Sequence, residues 1–246
     1  MTRLVAALLL LLINCPSMAR ATESDSSVVE RWQKKLRKID KKIEVGDYKG
    51  ANKAVDKLIM QEMVSSLLRG GGGSKLLALA TVYQAVSDAG LGDEELAIWH
   101  WHTAQNLDPE LRQISLAKFG PPGHILEYNR LRQAGEAPRE MTVFDLNNQT
   151  VTPTHPQPLE VPYPIIPQEL MAAWYAETAD VEIVIDSEGH VREPVVLVGT
   201  LPGKVYLGLE AMRSWNYQPA TLEGEPVAVY FHLEDFYDAI ELRLGN

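Results

Sequence analysis

Leu209-Glu210-Ala211-Met212-Arg213-Ser214-Trp215-Asn216-Tyr217-Gln218-Pro219-Ala220, followed by Gly224-Glu225-Pro226-Val227, is the stretch on which the fold turns. It reads as the end of a helix and the start of a strand. Val205, Leu209 and Met212 share one helical face, Trp215 and Tyr217 offer rings to close a core beside the helix end, and Pro219 forbids further helix. Leu222-Glu223-Gly224-Glu225 makes a turn, after which Val227, Val229, Phe231 and Leu233 alternate as a strand. Upstream, Val181, Ile183 and Ile185 alternate in another strand that ends at the hairpin turn Asp186-Ser187-Glu188-Gly189. Its partner spans Val191 to Val198, broken by Pro194. Gln168 to Tyr175 suit a short helix. The order strand, strand, helix, strand predicts a small antiparallel sheet with its apolar face under the helix.

Ahead of this region Pro153, Pro156, Pro158, Pro162, Pro164 and Pro167 forbid helix and favour extended backbone. The boundary is therefore placed in a Pro-rich linker, 136–160, read as a spacer, with the end domain at 161–240.

That end domain resembles the C-terminal domain of TonB, a family of envelope proteins that couple inner-membrane motors to outer-membrane transporters. The resemblance covers Val161 to Tyr237. It is carried by Tyr163-Pro164, by Val181 to Val191 with Gly189 at the turn, and by the two blocks quoted first. It implies binding by addition of a partner's strand to a sheet edge, which needs backbone hydrogen bonds and few particular side chains. The implied edge is Val227 to Leu233, with Val227, Val229, Tyr230, Phe231 and Leu233 as partner-binding residues. Tyr163 and Pro164 carry over as a receptor-contacting segment. The chain departs from the family in having Thr178-Ala179 where a glycine precedes the first strand, and no histidine in Met1 to Ala21 for motor coupling. The family's uncleaved anchor and long proline-rich stalk are not expected.

The first half is helical. Val28, Trp32, Leu36, Ile39 and Ile43 build one apolar stripe, and Arg31, Lys34, Lys35, Arg37, Lys38, Lys41 and Lys42 occupy the other faces as a solvated surface. Gly46-Asp47-Tyr48 leads to Ala51, Val55 and Leu58, and Gly92-Asp93-Glu94 leads to Ala97, Trp101 and Ala104. Each opens with a turn glycine, and each small alanine lets a neighbouring helix approach closely. After Leu107, Pro109 ends the helix and Asp108 can cap the next. Ala97, Trp101, Ala104 and Pro109 resemble the second half of a tetratricopeptide repeat, which implies a tetratricopeptide-like helical domain at 27–135, continued through Gly123 to Gln133. The preceding helix, Leu76 to Ala89, lacks that family's Gly and Tyr positions.

Features that look like chemistry fail geometric tests. Gly70 to Gly73 with Ser74-Lys75 lacks the strand and the Gly-Lys-Ser/Thr ending of a phosphate loop, and reads as a connector. His100 and His102 point roughly 200° apart on a helix, so they cannot share a metal from one face, and are placed on the surface or half-buried. Glu94 with Glu95, and Asp186 with Glu188, read as ordinary surface charge. The chain also holds no Gly-x-Ser-x-Gly elbow and no His-Glu-x-x-His. No catalytic residue, metal ligand or cofactor is assigned, and an unrecognised envelope enzyme is the third-ranked expectation.

Met1 to Ala21 has Arg3, an apolar run from Leu4 to Ile13 and the small-residue site Ala19-Arg20-Ala21, a signal peptide expected to be cleaved after Ala21. The run is too short to span a bilayer, and Cys15, the sole cysteine, falls within the leader. The formal net charge of -10 becomes more acidic when Arg3 and Arg20 leave with the leader, which disfavours nucleic acid and anionic membrane as partners. The sequence thus leads to an α+β, periplasmic, non-catalytic adaptor that binds envelope proteins, including outer-membrane transporters by strand addition, with no transmembrane span after cleavage. The alternative is a TonB-type energy transducer that retains its N-terminal anchor.

Overall fold

The computed structural model describes residues 23–68, 73–133, 142–146, 152–164, 166, 168, 171, 174, 178–199 and 201–234. The leader, Gly70 to Gly72, Asn148 and the stretch after Glu234 lie outside them. The chain is mixed α+β and forms two compact units, Met1–Asn129 and Arg130–Asn246.

The first unit opens with α1 (Glu23–Glu44) and α2 (Tyr48–Leu58), which passes through a π-helical stretch, Ile59–Met63, into α3 (Val64–Leu67). Trp32, Leu36, Ile39 and Ile43 are buried as the stripe requires, joined by Val29 at a position expected of Val28. Next come α4 (Ser74–Leu91) and α5 (Glu94–Leu107), packed against each other, with α2 also against α4. Short 3-10 turns, Pro109–Gln113 and Ala117–Phe119, lead to α6 (Pro121–Gln133).

The recurring Gly-Asp pairs serve one mechanical purpose. Gly46 and Gly92 have φ of 78° and 87°, the left-handed region where a side chain would be strained. At each, the glycine and following aspartate N–H groups bond back to the helix just ended, Gly46 to the Ile43 carbonyl and Asp47 to that of Lys42, Gly92 to Ala89 and Asp93 to Asp88. The aspartate side chain then caps the next helix, Asp47 accepting from Gly50 N–H and Asp93 from Leu96 N–H. Asp108 caps the first 3-10 turn in the same way, accepting from Glu110 N–H at 3.2 Å. Burial raises its pKa, against the lowering effect of that bond and of Lys75.

The placement of His100 and His102 near the surface is corrected, since both are buried. Their divergence on α5 serves packing, with His100 Nδ1 2.6 Å from the Asp88 carboxylate of α4 and His102 Nε2 2.9 Å from the Asn129 side chain of α6. Asn52 of α2 donates to the other oxygen of Asp88. Trp101, Ala97 and Ala104 are fully buried, so α5 meets neighbours on several sides.

The second unit contains β1 (Val143–Asp145), β2 (Gln157–Glu160), β3 (Ala179–Ile185), β4 (Val191–Gly199), α7 (Pro202–Met212), β5 (Asn216–Gln218), β6 (Ala220–Leu222) and β7 (Glu225–Leu233). The main sheet runs β1-β7-β3-β4, with β6 also paired to β7, and β2 pairs β5 separately. All pairs are antiparallel except β1 with β7. Val181, Ile183, Ile185, Val229 and Leu233 bury one face of the sheet, and the α7 residues Val205, Leu209 and Met212 are buried as expected. Pro194 bends β4 without ending it, because register shifts absorb the extra residues and Glu193 takes a positive φ of 45°.

The spacer reading of 136–160 is corrected for its described part. Val143–Asp145 and Gln157–Glu160 are strands of the second unit, and Thr154 N–H donates to the Thr221 carbonyl at 2.8 Å. Of the expected helix Gln168 to Tyr175, only Gln168, Met171 and Trp174 are described, and Trp174 is buried.

The β3–β4 turn depends on Asp186 and Gly189. Asp186 is buried, which corrects its reading as surface charge, and accepts from Glu188 N–H, His190 N–H and Arg192 Nε, each at 2.9 Å. Gly189 has a φ of 91°, and a Cβ there would overlap the Tyr217 carbonyl. Gly189→Ala is therefore expected to destabilise by more than about 1 kcal/mol in urea denaturation. A midpoint equal to that of the parent chain would show the turn to be unconstrained.

Candidate strand-binding rim and cleft

Among the residues assigned to partner binding, the structure gathers five on β7 and leaves two elsewhere. Tyr163 is 40% exposed and Pro164 partly buried, in the lead-in that follows β2. That lead-in is fixed by Trp215, whose Nε1–H donates to the Pro162 carbonyl at 3.0 Å. Trp215, expected from sequence to close the core, thus also anchors a backbone segment.

The expectation that β7 is a free edge is corrected. One flank pairs with β3 from Val229 to Leu233 and the opposite flank with β1 from Ala228 to Tyr230, while Glu225 to Val227 pair with β6. Val227, Val229 and Tyr230 therefore already spend their backbone groups within the chain. Val229 and Leu233 face the core, and Phe231 is half-buried against Tyr217, ring centroids 6.0 Å apart. The physical reason is general: a strand left bare beside an apolar core recruits extended backbone, and Val143–Asp145, distant in sequence, fills that place. Past Tyr230, no described strand lies beside Phe231, His232 and Leu233 on the β1 side.

Where β1 stops, a cleft of about 480 Å³ begins. Asp145 and Leu146 at the end of β1, His155 ahead of β2, Glu182 of β3, and Tyr230 to His232 of β7 line it. Glu182 and His232 are direct register partners, so their side chains share a face, away from Val181 and Ile183. Asp145 is likewise opposite Tyr230. The cleft thus gathers carboxylates, imidazoles and a phenol at the end of a paired strand, which suits polar recognition of a chain that continues past β1. None of Asp145, His155, Glu182 or His232 was assigned to a site from sequence, because their proximity depends on strand register across long separations.

Asp186, Glu188 and His190 also place ligand-type atoms within 4.8 Å of one another. The Asp186 carboxylate there is engaged by the hairpin turn and by Arg192. Lys75, beside the glycine run, is paired with Glu110 at 2.8 Å, which accounts for it structurally. No helix among the described residues is long and apolar enough to cross a membrane. No family model, curated protein or solved structure matches the chain.

Phe144→Pro removes a β1 backbone donor and is expected to speed amide exchange of Ala228 to Tyr230 by about tenfold or more, leaving Ile183 and Val184 unchanged. Unchanged protection at Ala228 to Tyr230 would mean that β1 does not cover this rim.

Proposed function

We propose that the chain is a non-catalytic protein-binding adaptor of the bacterial envelope, exported to the periplasm, with a TonB-like end domain that captures extended chain and a helical unit that grips a second partner. The observation that carries this reading is that the second unit already holds extended pieces of its own chain by backbone pairing, β1 on β7 and β2 on β5. Backbone pairing is indifferent to most side chains, so a rim that accepts Val143–Asp145 accepts another strand of similar shape. β1 pairs over three residues only, Val143 to Asp145, which keeps its displacement cheap relative to that of a long strand. On this reading β1 is the resident occupant and a partner's strand its replacement, with the cleft beside His232 receiving the residues that follow. Support of TonB-type outer-membrane transport is the role that the resemblance of Leu209 to Val227 adds.

A second reading is favoured by the cleft alone. Asp145, Glu182, His155 and His232 are residue types able to exchange protons, so an enzymatic activity of this chain would reside there.

The test supplies the resident strand in trans. A fluorescein-labelled peptide of sequence Met141 to Leu146 is expected to bind the Phe144→Pro chain at least about tenfold more tightly than the parent chain, whose own β1 competes. Absence of binding to the folded variant would remove strand capture as the function of this rim.

A further inference from the structure

Between α1 and α2 lies a groove of about 300 Å³ whose floor is Ile39, Ala54 and Leu58. Lys35, Lys38 and Lys42 of α1 and Lys57 of α2 line it, together with Glu62. The α1 lysines fall at three- and four-residue steps, which puts them on one side of the helix over about 10 Å. Lys35 and Arg31 pair with Glu62, and Lys42 pairs with Asp47 at 2.6 Å. Lys38 and Lys57 are exposed and make no ion pair among the described residues. From Glu30 to Lys57 ten lysines and arginines face five acidic residues, an excess of positive charge within a chain whose formal net charge is -10.

We infer that this groove docks an acidic amphipathic segment of a partner protein, one or two apolar side chains entering between the helices and flanking carboxylates meeting Lys38 and Lys57. The inference rests on the adaptor reading of the helical unit and supplies the chemistry of its partner. Concavity decides between a peptide and a membrane. An anionic bilayer is recognised by apolar side chains that protrude below a basic rim, whereas Ile39 and Leu58 are recessed and each only 2% exposed. A protruding side chain of a partner helix fits such a recess, and opposite charge around it fixes register and speeds encounter.

The probe is a fluorescein-labelled peptide with leucine and phenylalanine one helical turn apart amid glutamates, titrated with the full chain and read by anisotropy. Lys38→Glu/Lys57→Glu is expected to weaken binding by about tenfold, and replacing the peptide's glutamates by glutamine to do the same. Arg37→Glu/Lys49→Glu makes an equal charge change on the far faces of the same helices and is expected to alter binding less than about threefold. Ala54→Trp fills the recess and is expected to block binding while leaving charge intact. Equal weakening by both double variants, undiminished binding of the glutamine peptide, or cosedimentation with phosphatidylglycerol vesicles without peptide binding would each overturn the inference. None of these outcomes touches β1 or β7, so they are separable from the strand-capture test.

Discussion

Peptide groups beside an apolar core must find hydrogen-bond partners, and in the second unit this requirement falls hardest on β7. Its backbone pairs with β3 on one flank, with β1 on the opposite flank and, at its start, with β6. The three-residue β1 is the weakest part of that arrangement, because it contributes few pairs and little buried side-chain surface. The position of the cleft and the proposed exchange of strands both follow from where β1 ends on β7.

The helical unit meets a different constraint. Its helices are joined by tight turns in which a left-handed glycine stops one helix and an aspartate starts the next, so neighbouring helices are brought together without long loops. Some of the polar groups between them are paired, Asp88 with His100 and Asn52, His102 with Asn129. These pairs use the helix faces that meet one another. Lysines remain around the α1–α2 groove, where the surface has a chemical character opposite to that of the chain as a whole.

Legibility from sequence followed the strength of the local signal. The α1 stripe, the alternation of β3 and β7, the turn at Gly189 and the helix through Val205, Leu209 and Met212 each carry a period or a breaker that few alternatives satisfy, and each is present. β1 and β2 escaped because three or four residues cannot display a period, and the side chains of Gln157–Glu160 are all exposed, so no alternation exists to read. Proline density identified extended backbone correctly but could not say whether that backbone was paired. The histidines of α5 were misplaced for a related reason: geometry separated them, while their burial depended on helices arriving from both sides. The cleft was illegible because register across β1, β3 and β7 is a tertiary property.

The central claim is that β1 covers β7 in exchange with an incoming strand, and locking β1 in place tests it most directly. Asp145 and Tyr230 are register partners, and Cys15 is the sole native cysteine, so Asp145→Cys/Tyr230→Cys in a Cys15→Ser background can join the two strands by oxidation. The affinity of one chain for an added Met141 to Leu146 peptide is then measured reduced and oxidised. Binding that is present when the cysteines are reduced and lost when they are joined is the expected result. Equal affinity in both states would contradict the account, since a strand that never leaves could not then be what a partner replaces.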